Sequence, residues 1–419
     1  MTLKEQLINM AKGAREACGF MAGVPSGVKN RILKEMAAAL IKQRAFILRE
    51  NKKDCQKAGA AKLSAAFIDR LRLSEKRIAE MSKSLLAISR LSDPVGQTLE
   101  VVKRPNGLRI HKVRVPIGVI AIIYESRPNV TSDCIGLSLK SANSVILRGG
   151  SDALNSNLAI YRVIKRVLQK HRFPEGIINI IKATQRSAID QLVKLNDYID
   201  LVIPRGGESL IRRVVKLSRI PVIKHFKGVC HVYVDEWADL NKAQSICFNA
   251  KVQRPGVCNA MESMLVHKDV AMCFLPGMVR QFKQAGVQIR GCALTQKIAK
   301  GAVKRATDKD YRTEYLDLIL SVKVVGSLGE AIGHINSYGS HHSDAIVTDN
   351  YDAAMCFLRQ VDSACVYLNA STRFTDGNQF GMGAEIGIST DKLHARGPMS
   401  LAELTTYKYM VFGNGQVRE

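Results

Sequence analysis

The chain has 419 residues, 46% of them hydrophobic, which is enough for roughly two to three domains and a sizeable core. Its 62 Lys and Arg outnumber 37 Asp and Glu, yet these basic residues are spread along amphipathic segments such as 162–172, with a single Trp. No helix-turn-helix, zinc-finger or RNA-recognition signature is present, so the +25 charge reads as a basic surface that draws in anionic small molecules, not as a nucleic-acid face.

Residues 1 to about 95 read as helical. Ser26 is placed to cap a segment in which Val28, Ile32, Met36 and Leu40 share one face. The stretch 101–115 reads instead as two strands around Asn106-Gly107, a strong short hairpin signal. From about 117 to 235, apolar β-rich runs at 117–123, 144–148, 177–182, 199–203, 221–223 and 231–234 alternate with helical stretches. Those stretches begin near Ser132, Asp152, Ser187 and Gly207. This is the βαβ pattern of a parallel sheet with helices on both faces. A second alternation runs from about 236 to 385. The longest apolar run, Val115 to Tyr124, contains Pro116 and is too short to cross a bilayer, and the first residues carry no signal core. Ten cysteines without a C-x-x-C pair or zinc spacing suit a reducing cytoplasm.

One cysteine stands apart. Gln253-Arg-Pro-Gly-Val-Cys258-Asn-Ala-Met-Glu262 sets Cys258 after a Pro-Gly turn and before a run, Asn259 to Leu265, that reads as helix. A helix N-terminus favours thiolate, and Arg254 adds to that field. The alternative is a small buried hydrophobe, the usual state of a free cysteine. Two strands end in glycine pairs, Gly149-Gly150-Ser151 and Gly206-Gly207-Glu208. Each opens into a helical run, as phosphate or ribose binding requires, or is a plain turn. No G-x-G-x-x-G, P-loop, H-E-x-x-H or G-x-S-x-G occurs. His341-His342 suggests a metal, but no carboxylate or cysteine lies at ligand spacing. The pair is therefore expected to be structural or at a site rim, with no metal.

The segment around Cys258 resembles the active-site segment of the γ-glutamyl phosphate reductases (glutamate-5-semialdehyde dehydrogenases), a branch of the aldehyde dehydrogenase superfamily. Further segments resemble the same family in the same order: Tyr124-Glu-Ser-Arg-Pro-Asn129-Val, Val145-Ile-Leu-Arg148-Gly-Gly-Ser151, Ile203-Pro-Arg-Gly206-Gly207-Glu-Ser209 and Cys230-His-Val-Tyr-Val-Asp235. Then come Thr313-Glu314-Tyr-Leu-Asp317-Leu, His341-His342-Ser-Asp-Ala-Ile346, Asn369-Ala-Ser-Thr-Arg373-Phe-Thr-Asp-Gly377, and the long run from Phe380 through Leu393-His-Ala-Arg-Gly-Pro398 to Lys408. The likeness covers the chain from about residue 115 onward.

The resemblance implies an aldehyde-dehydrogenase-like α/β fold. A Rossmann-type cofactor domain takes 1–98 and 117–235, with a return segment at about 386–402. The catalytic domain is 236–385, and 99–116 with 403–419 form an oligomerisation element, so a cytoplasmic homo-oligomer is expected. The implied reaction is NADPH-dependent reduction of L-glutamyl 5-phosphate to L-glutamate 5-semialdehyde and phosphate in proline biosynthesis, with functional coupling to glutamate kinase. Cys258 attacks to form a thioester and Asn129 donates its amide to the oxyanion. Read from its residues alone, Asn129 is first of all a turn asparagine capping the helix from Thr131, and only the resemblance makes it an oxyanion donor. Arg148 corresponds to a basic residue at the adenosine ribose. With no acid in the next three positions it favours a 2′-phosphate, hence NADPH. Gly149, Gly150, Ser151, Gly206, Gly207 and Glu208 complete that side. Glu314 corresponds to the glutamate at the nicotinamide ribose, while Asp317 is structural. Arg373 and Arg396 are candidates to grip the substrate's carboxylate or phosphate, as are Ser126 and Arg127. Lys224-His-Phe-Lys-Gly-Val229 lacks the carboxylate with which oxidative relatives activate water, as suits an enzyme whose leaving group is phosphate.

Overall fold

Apolar side chains at three- and four-residue spacing make the first ninety residues helical: Leu3–Ala22, Ser26–Lys42, Arg44–Ala60, Ala65–Leu71 and Glu75–Arg90. The computed structural model describes residues 1–418 apart from Lys62, Ser64, Ser126 and Ala302, and apart from the side chains of Ala65 and Ala66. The substrate role expected of Ser126 thus lies outside the described residues. In Ser26–Lys42 the buried face includes Ile32, Met36 and Leu40. Pro25, not Ser26, stands at the N-cap. Its ring already fixes the entry angle at φ −61°, and Ser26 becomes the first helical residue.

Strands β1 (Thr98–Lys103) and β2 (Arg109–Pro116) form the hairpin expected at Asn106-Gly107, where Gly107 takes φ +87°. The C-terminal strand Thr405–Phe412 pairs antiparallel with β2 along its length. Tyr409, Val411 and Phe412 of that strand are exposed.

Strands β3 (Val119–Tyr124), β4 (Ser144–Gly149), β5 (Ile178–Ile180) and β6 (Leu201–Arg205) build a parallel sheet in the order β5-β4-β3-β6. The chain steps outward from β3 to β5 and then returns to the other side of β3. A switch point therefore falls between the carboxyl ends of β3 and β6. The apolar run 221–223 adds only a single bridge, Val202 to Val222, because Pro221 has no N–H with which to extend the pairing.

A second parallel sheet comprises β7 (Cys230–Val234), β8 (Met261–His267), β9 (Gln288–Gly291), β10 (Lys304–Arg305), β11 (Ile319–Val325), β12 (Ser343–Val347) and β13 (Cys365–Leu368). Its order is β10-β9-β11-β8-β7-β12-β13. One face packs on Cys247, Phe274, Met278 and Phe282 from the helices Leu240–Val252 and Lys268–Gln284. The other packs on Ile332, Ile335 and Phe357.

The chain divides into two compact units, 1–224 with 381–387 and 399–419, and 225–380 with 388–398. The boundary expected at 235 therefore moves to 224. The physical reason is that β7 hydrogen-bonds between β8 and β12, which makes it part of the second sheet. The hairpin groups with the first unit.

Inside the second unit the Lys251 ammonium lies 2.7 Å from the Glu262 carboxylate, with side chains 0% and 1% exposed. The Leu316 N–H also donates to Glu262, at 3.0 Å. Burial pushes the Glu262 carboxyl up to about 7 and the Lys251 ammonium down, desolvation outweighing their attraction. Removing one partner of such a pair costs about 3–5 kcal/mol, because the other is left buried and uncompensated. Lys251→Met should lower the urea midpoint accordingly, and adding Glu262→Gln should recover most of the loss. A double variant no more stable than the single one would contradict this account.

Candidate active site

Three segments of the second unit end at the amino edges of neighbouring strands. His225 precedes β7, Cys258 precedes β8 and His342 precedes β12, in a sheet whose local order is β8-β7-β12. One potential ligand atom from each, two imidazole nitrogens and the thiol sulfur, lie within 4.8 Å of one another. Cys258 is half-buried.

The helix expected after Cys258 is absent. Residues 261–267 are strand β8, buried along its whole length and hydrogen-bonded to β7 and β11. Tertiary pairing overrides the helix-forming Ala260-Met-Glu262, so the residues after Cys258 offer the thiol no helix N-terminus. Positive charge comes instead from side chains. Arg254 lies close enough to Arg373 that, after burial, it is the next cause holding the Arg373 guanidinium below its ordinary value, and Cys258 opposes that shift.

The Cys258 loop is fixed from two sides. Asn259 Nδ2 donates to Thr375 O at 2.8 Å, and Thr372 Oγ1 donates to Asn259 O at 2.8 Å. Arg373 donates to Gln253 Oε1 at 2.9 Å and also to Asn259 Oδ1, so the expected substrate-gripping arginine also braces the residues on either side of the cysteine. On the opposite side a Cβ on Gly228 would sit 1.8 Å from the Cys258 carbonyl oxygen, which leaves only glycine room there. The Gly228 N–H donates to Glu314 Oε1 at 2.9 Å, and Cys230 Sγ donates to Cys258 O at 3.2 Å. Glu314 thus joins the segment that touches Cys258.

The stretch Lys224–Val229 holds no carboxylate, but it does hold His225, which the sequence reading passed over. Its ring lies edge-on to that of His342 at 5.6 Å. The Nδ1 of His225 is 2.9 Å from the Ile388 carbonyl, which can only accept, so Nδ1 carries the proton. The two adjacent histidines part company. His342 is fully buried, its Nδ1 2.8 Å from Ser343 Oγ, whereas His341 turns to the Asp362 carbonyl. Arg396 is also engaged by Asp362, at 2.8 Å, and Lys392 by the same carboxylate at 2.7 Å; these hydrogen bonds hold Asp362 down to about 2. Burial pushes the thiols of Cys134, Cys230 and Cys247 well up, as expected of inert cysteines.

The first unit gathers the other expected residues at the carboxyl edge of its sheet. Arg148, 8% exposed, donates to Gly149 O at 3.1 Å and Thr184 O at 2.8 Å; burial holds its guanidinium below the ordinary value, with Asp152 and Glu125 opposing. A Cβ on Gly149 would fall 2.2 Å from Asn157 Nδ2, so this glycine answers a packing demand. Gly150 leads into a short 3-10 turn that begins at the exposed Ser151. At the switch point Glu125 accepts the Gly207 N–H at 2.9 Å, and a Cβ on Gly206 would meet the same carboxylate at 2.6 Å. That helix N-terminus already has an acidic cap, which suits a ribose hydroxyl better than a phosphate. Glu208 pairs with Arg212 at 2.6 Å. Asn129 begins the helix Asn129–Lys140 without capping it, against the alternative reading. Its side chain bonds Asp133, whose carboxyl burial raises to about 6. Arg127, beside it, is exposed.

Residues 2–318 match the aldehyde dehydrogenase family model. The chain is 57% identical to a γ-glutamyl phosphate reductase of Thermoanaerobacter sp. (strain X514) over 98% of its own length and 99% of that protein. It is 54% identical to one from Thermodesulfovibrio yellowstonii over the full length of both. The solved γ-glutamyl phosphate reductase of Thermotoga maritima shares 49% identity and superimposes with a TM-score of 0.96, covering 99% of this chain and 100% of that one. A glyceraldehyde-3-phosphate dehydrogenase from Methanocaldococcus jannaschii, solved with NADP, shares the fold alone. It is 17% identical with a TM-score of 0.70, over 98% of this chain and 95% of that one.

Proposed function

We propose that this chain, which belongs to the γ-glutamyl phosphate reductases of the aldehyde dehydrogenase family, reduces L-glutamyl 5-phosphate to L-glutamate 5-semialdehyde and phosphate with NADPH, a step of proline biosynthesis. The observation that carries this reading is the seat of Cys258: a half-buried thiol on a loop braced from both sides, with Arg254 and Arg373 at hand.

The Cys258 thiolate attacks the acyl carbon. The Asn129 amide donates to the oxyanion, held for that task by Asp133 one helical turn on. Phosphate then leaves a thioester on Cys258, and collapse of the later thiohemiacetal returns the thiolate with the aldehyde. Arg373, whose Nε and Nη1 already brace Gln253 and Asn259, offers its remaining N–H groups to the substrate's phosphate or carboxylate, with Arg127 as a second candidate. Arg396 is the weaker candidate, since Asp362 already engages it.

For the cofactor, the first unit offers a fitting edge. Arg148 stands next to last in β4 with its buried Nε unpartnered, and the exposed Ser151, Gly206 and Gly207 lie just beyond the ends of strands on either side of β3. Bound there, NADPH supplies the hydride that reduces the thioester. Arg148 would select the 2′-phosphate, Gly150 with Gly149 would form the turn beneath it, Glu208 would serve the adenosine ribose and Glu314 the nicotinamide ribose. The exposed Tyr409, Val411 and Phe412 support an oligomerisation role for the C-terminal strand. Glutamate kinase is the expected functional neighbour, because glutamyl phosphate is short-lived in water.

The test is NADPH consumption coupled to glutamate kinase and ATP. Cys258→Ala should lower turnover by roughly a thousandfold or more while leaving cofactor binding and folding intact. The unmodified chain should prefer NADPH, and Arg148→Ala should erode that preference by about tenfold, with little change in the NADH rate. Substantial turnover by Cys258→Ala, or equal use of both cofactors by the unmodified chain, would contradict the respective assignment.

A further inference from the structure

His225 and His342 stand beside the thiol, yet the reaction above gives neither a step. We infer that His225, Cys258 and His342 together form a reversible binding site for a zinc-like divalent cation, which silences the thiol while it is bound.

Two imidazoles and a thiol are a ligand set that zinc takes readily, with a fourth position left to water or an anion. The three atoms already lie within 4.8 Å of one another. Ligands around tetrahedral zinc stand about 3.5 Å apart, so closing the set needs displacements on the order of 1 Å. The anchors are firm, since each ligand leads into one of three adjacent strands, β8, β7 and β12.

The outer hydrogen bonds also suit a metal. The Nδ1–H of His225 donates to the Ile388 carbonyl at 2.9 Å, which places the lone pair on Nε2. A backbone carbonyl behind a ligating imidazole is the usual arrangement in metal sites. Behind His342 the Ser343 hydroxyl lies 2.8 Å from Nδ1 and continues to Thr375 at 2.6 Å, and Thr375 meets Tyr367 at 2.7 Å. The ring orientation of His342 is therefore set by a chain of hydroxyls.

Binding exchanges one proton for the metal: the Cys258 thiol proton leaves to solvent, a sulfur–metal bond forms, and nothing is oxidised or reduced. Nearby Arg254 and Arg373 oppose a dication, so the site should hold zinc more weakly than a closed structural site does. That weakness makes it reversible by chelators. Metal binding does not depend on which acyl group the thiol attacks, whereas the loss of turnover rests on the role proposed for Cys258.

The test reads the thiol directly. Chelator-treated protein is exposed to Zn²⁺ and then alkylated with iodoacetamide, and labelling of the Cys258 peptide is timed by mass spectrometry. Zn²⁺ should slow labelling of Cys258 at least tenfold, EDTA should restore it, and the exposed Cys273 should be unaffected. His225→Ala should raise the zinc concentration needed for protection by roughly tenfold or more. Co²⁺ provides an independent readout: a near-ultraviolet thiolate-to-cobalt band present in the unmodified chain and lost in Cys258→Ser. An unchanged Cys258 labelling rate, equal protection in His225→Ala, or a cobalt band that survives in Cys258→Ser would each overturn the proposal. Should His225→Ala fail to fold, the cobalt comparison decides.

Discussion

The contact between the backbones of Gly228 and Cys258 is the constraint on which the site depends. It exists because β7 and β8 are neighbours in a parallel sheet, and because their register slips between Cys230 and His231 at the very start of the pairing. With no Cβ at Gly228, the segment entering β7 can lie directly on the Cys258 carbonyl. The same segment then delivers His225 to the thiol and takes Glu314 through the Gly228 N–H. The Cys258 loop is thus held by this main-chain contact on one side and by the side chains of Asn259, Thr372 and Arg373 on the other.

Each sheet gathers its expected site residues at one edge of its own strands. In the first unit the expected cofactor residues line the carboxyl edge, where strand order reverses, as is usual for open α/β sheets. In the second unit the Cys258 cluster lies at the amino ends of β7, β8 and β12. At that edge the first N–H groups of the segment entering β7 are taken by side chains, Gly228 by Glu314 and Val229 by Ser340, so the main chain beside Cys258 is fully engaged.

Much of the fold was legible in the sequence. The strands near 117, 144, 178 and 201 carry continuous apolar runs, and Asn106-Gly107 turns the hairpin. What failed did so for identifiable reasons. Ala260-Met-Glu262 reads as helix locally, but a central strand buried on both faces answers to its neighbours and not to propensity. The boundary at 224 was hidden because a short β-rich run such as 230–234 fits either sheet, and only its hydrogen-bond partners decide. The glycine pair at Gly206 reads in the sequence as a phosphate or ribose turn or a plain turn, and the carboxylate it meets, Glu125, lies far away in the chain. His225 and His342 were visible as residues but not as a cluster, since 117 positions separate them and the sheet order joins them.

The central claim is that the acyl group on Cys258 is released to phosphate and not to water. It is tested most directly by running the reaction backwards, oxidising glutamate semialdehyde with NADP⁺ in the presence and absence of phosphate, and following pyrroline-5-carboxylate and free glutamate together. With no carboxylate in Lys224–Val229, NADPH formation should require phosphate. The difference should be plain, because general-base assistance is typically worth about two to four orders of magnitude. Steady, phosphate-independent production of glutamate would contradict the account and would mean that a base other than a carboxylate of Lys224–Val229 activates water.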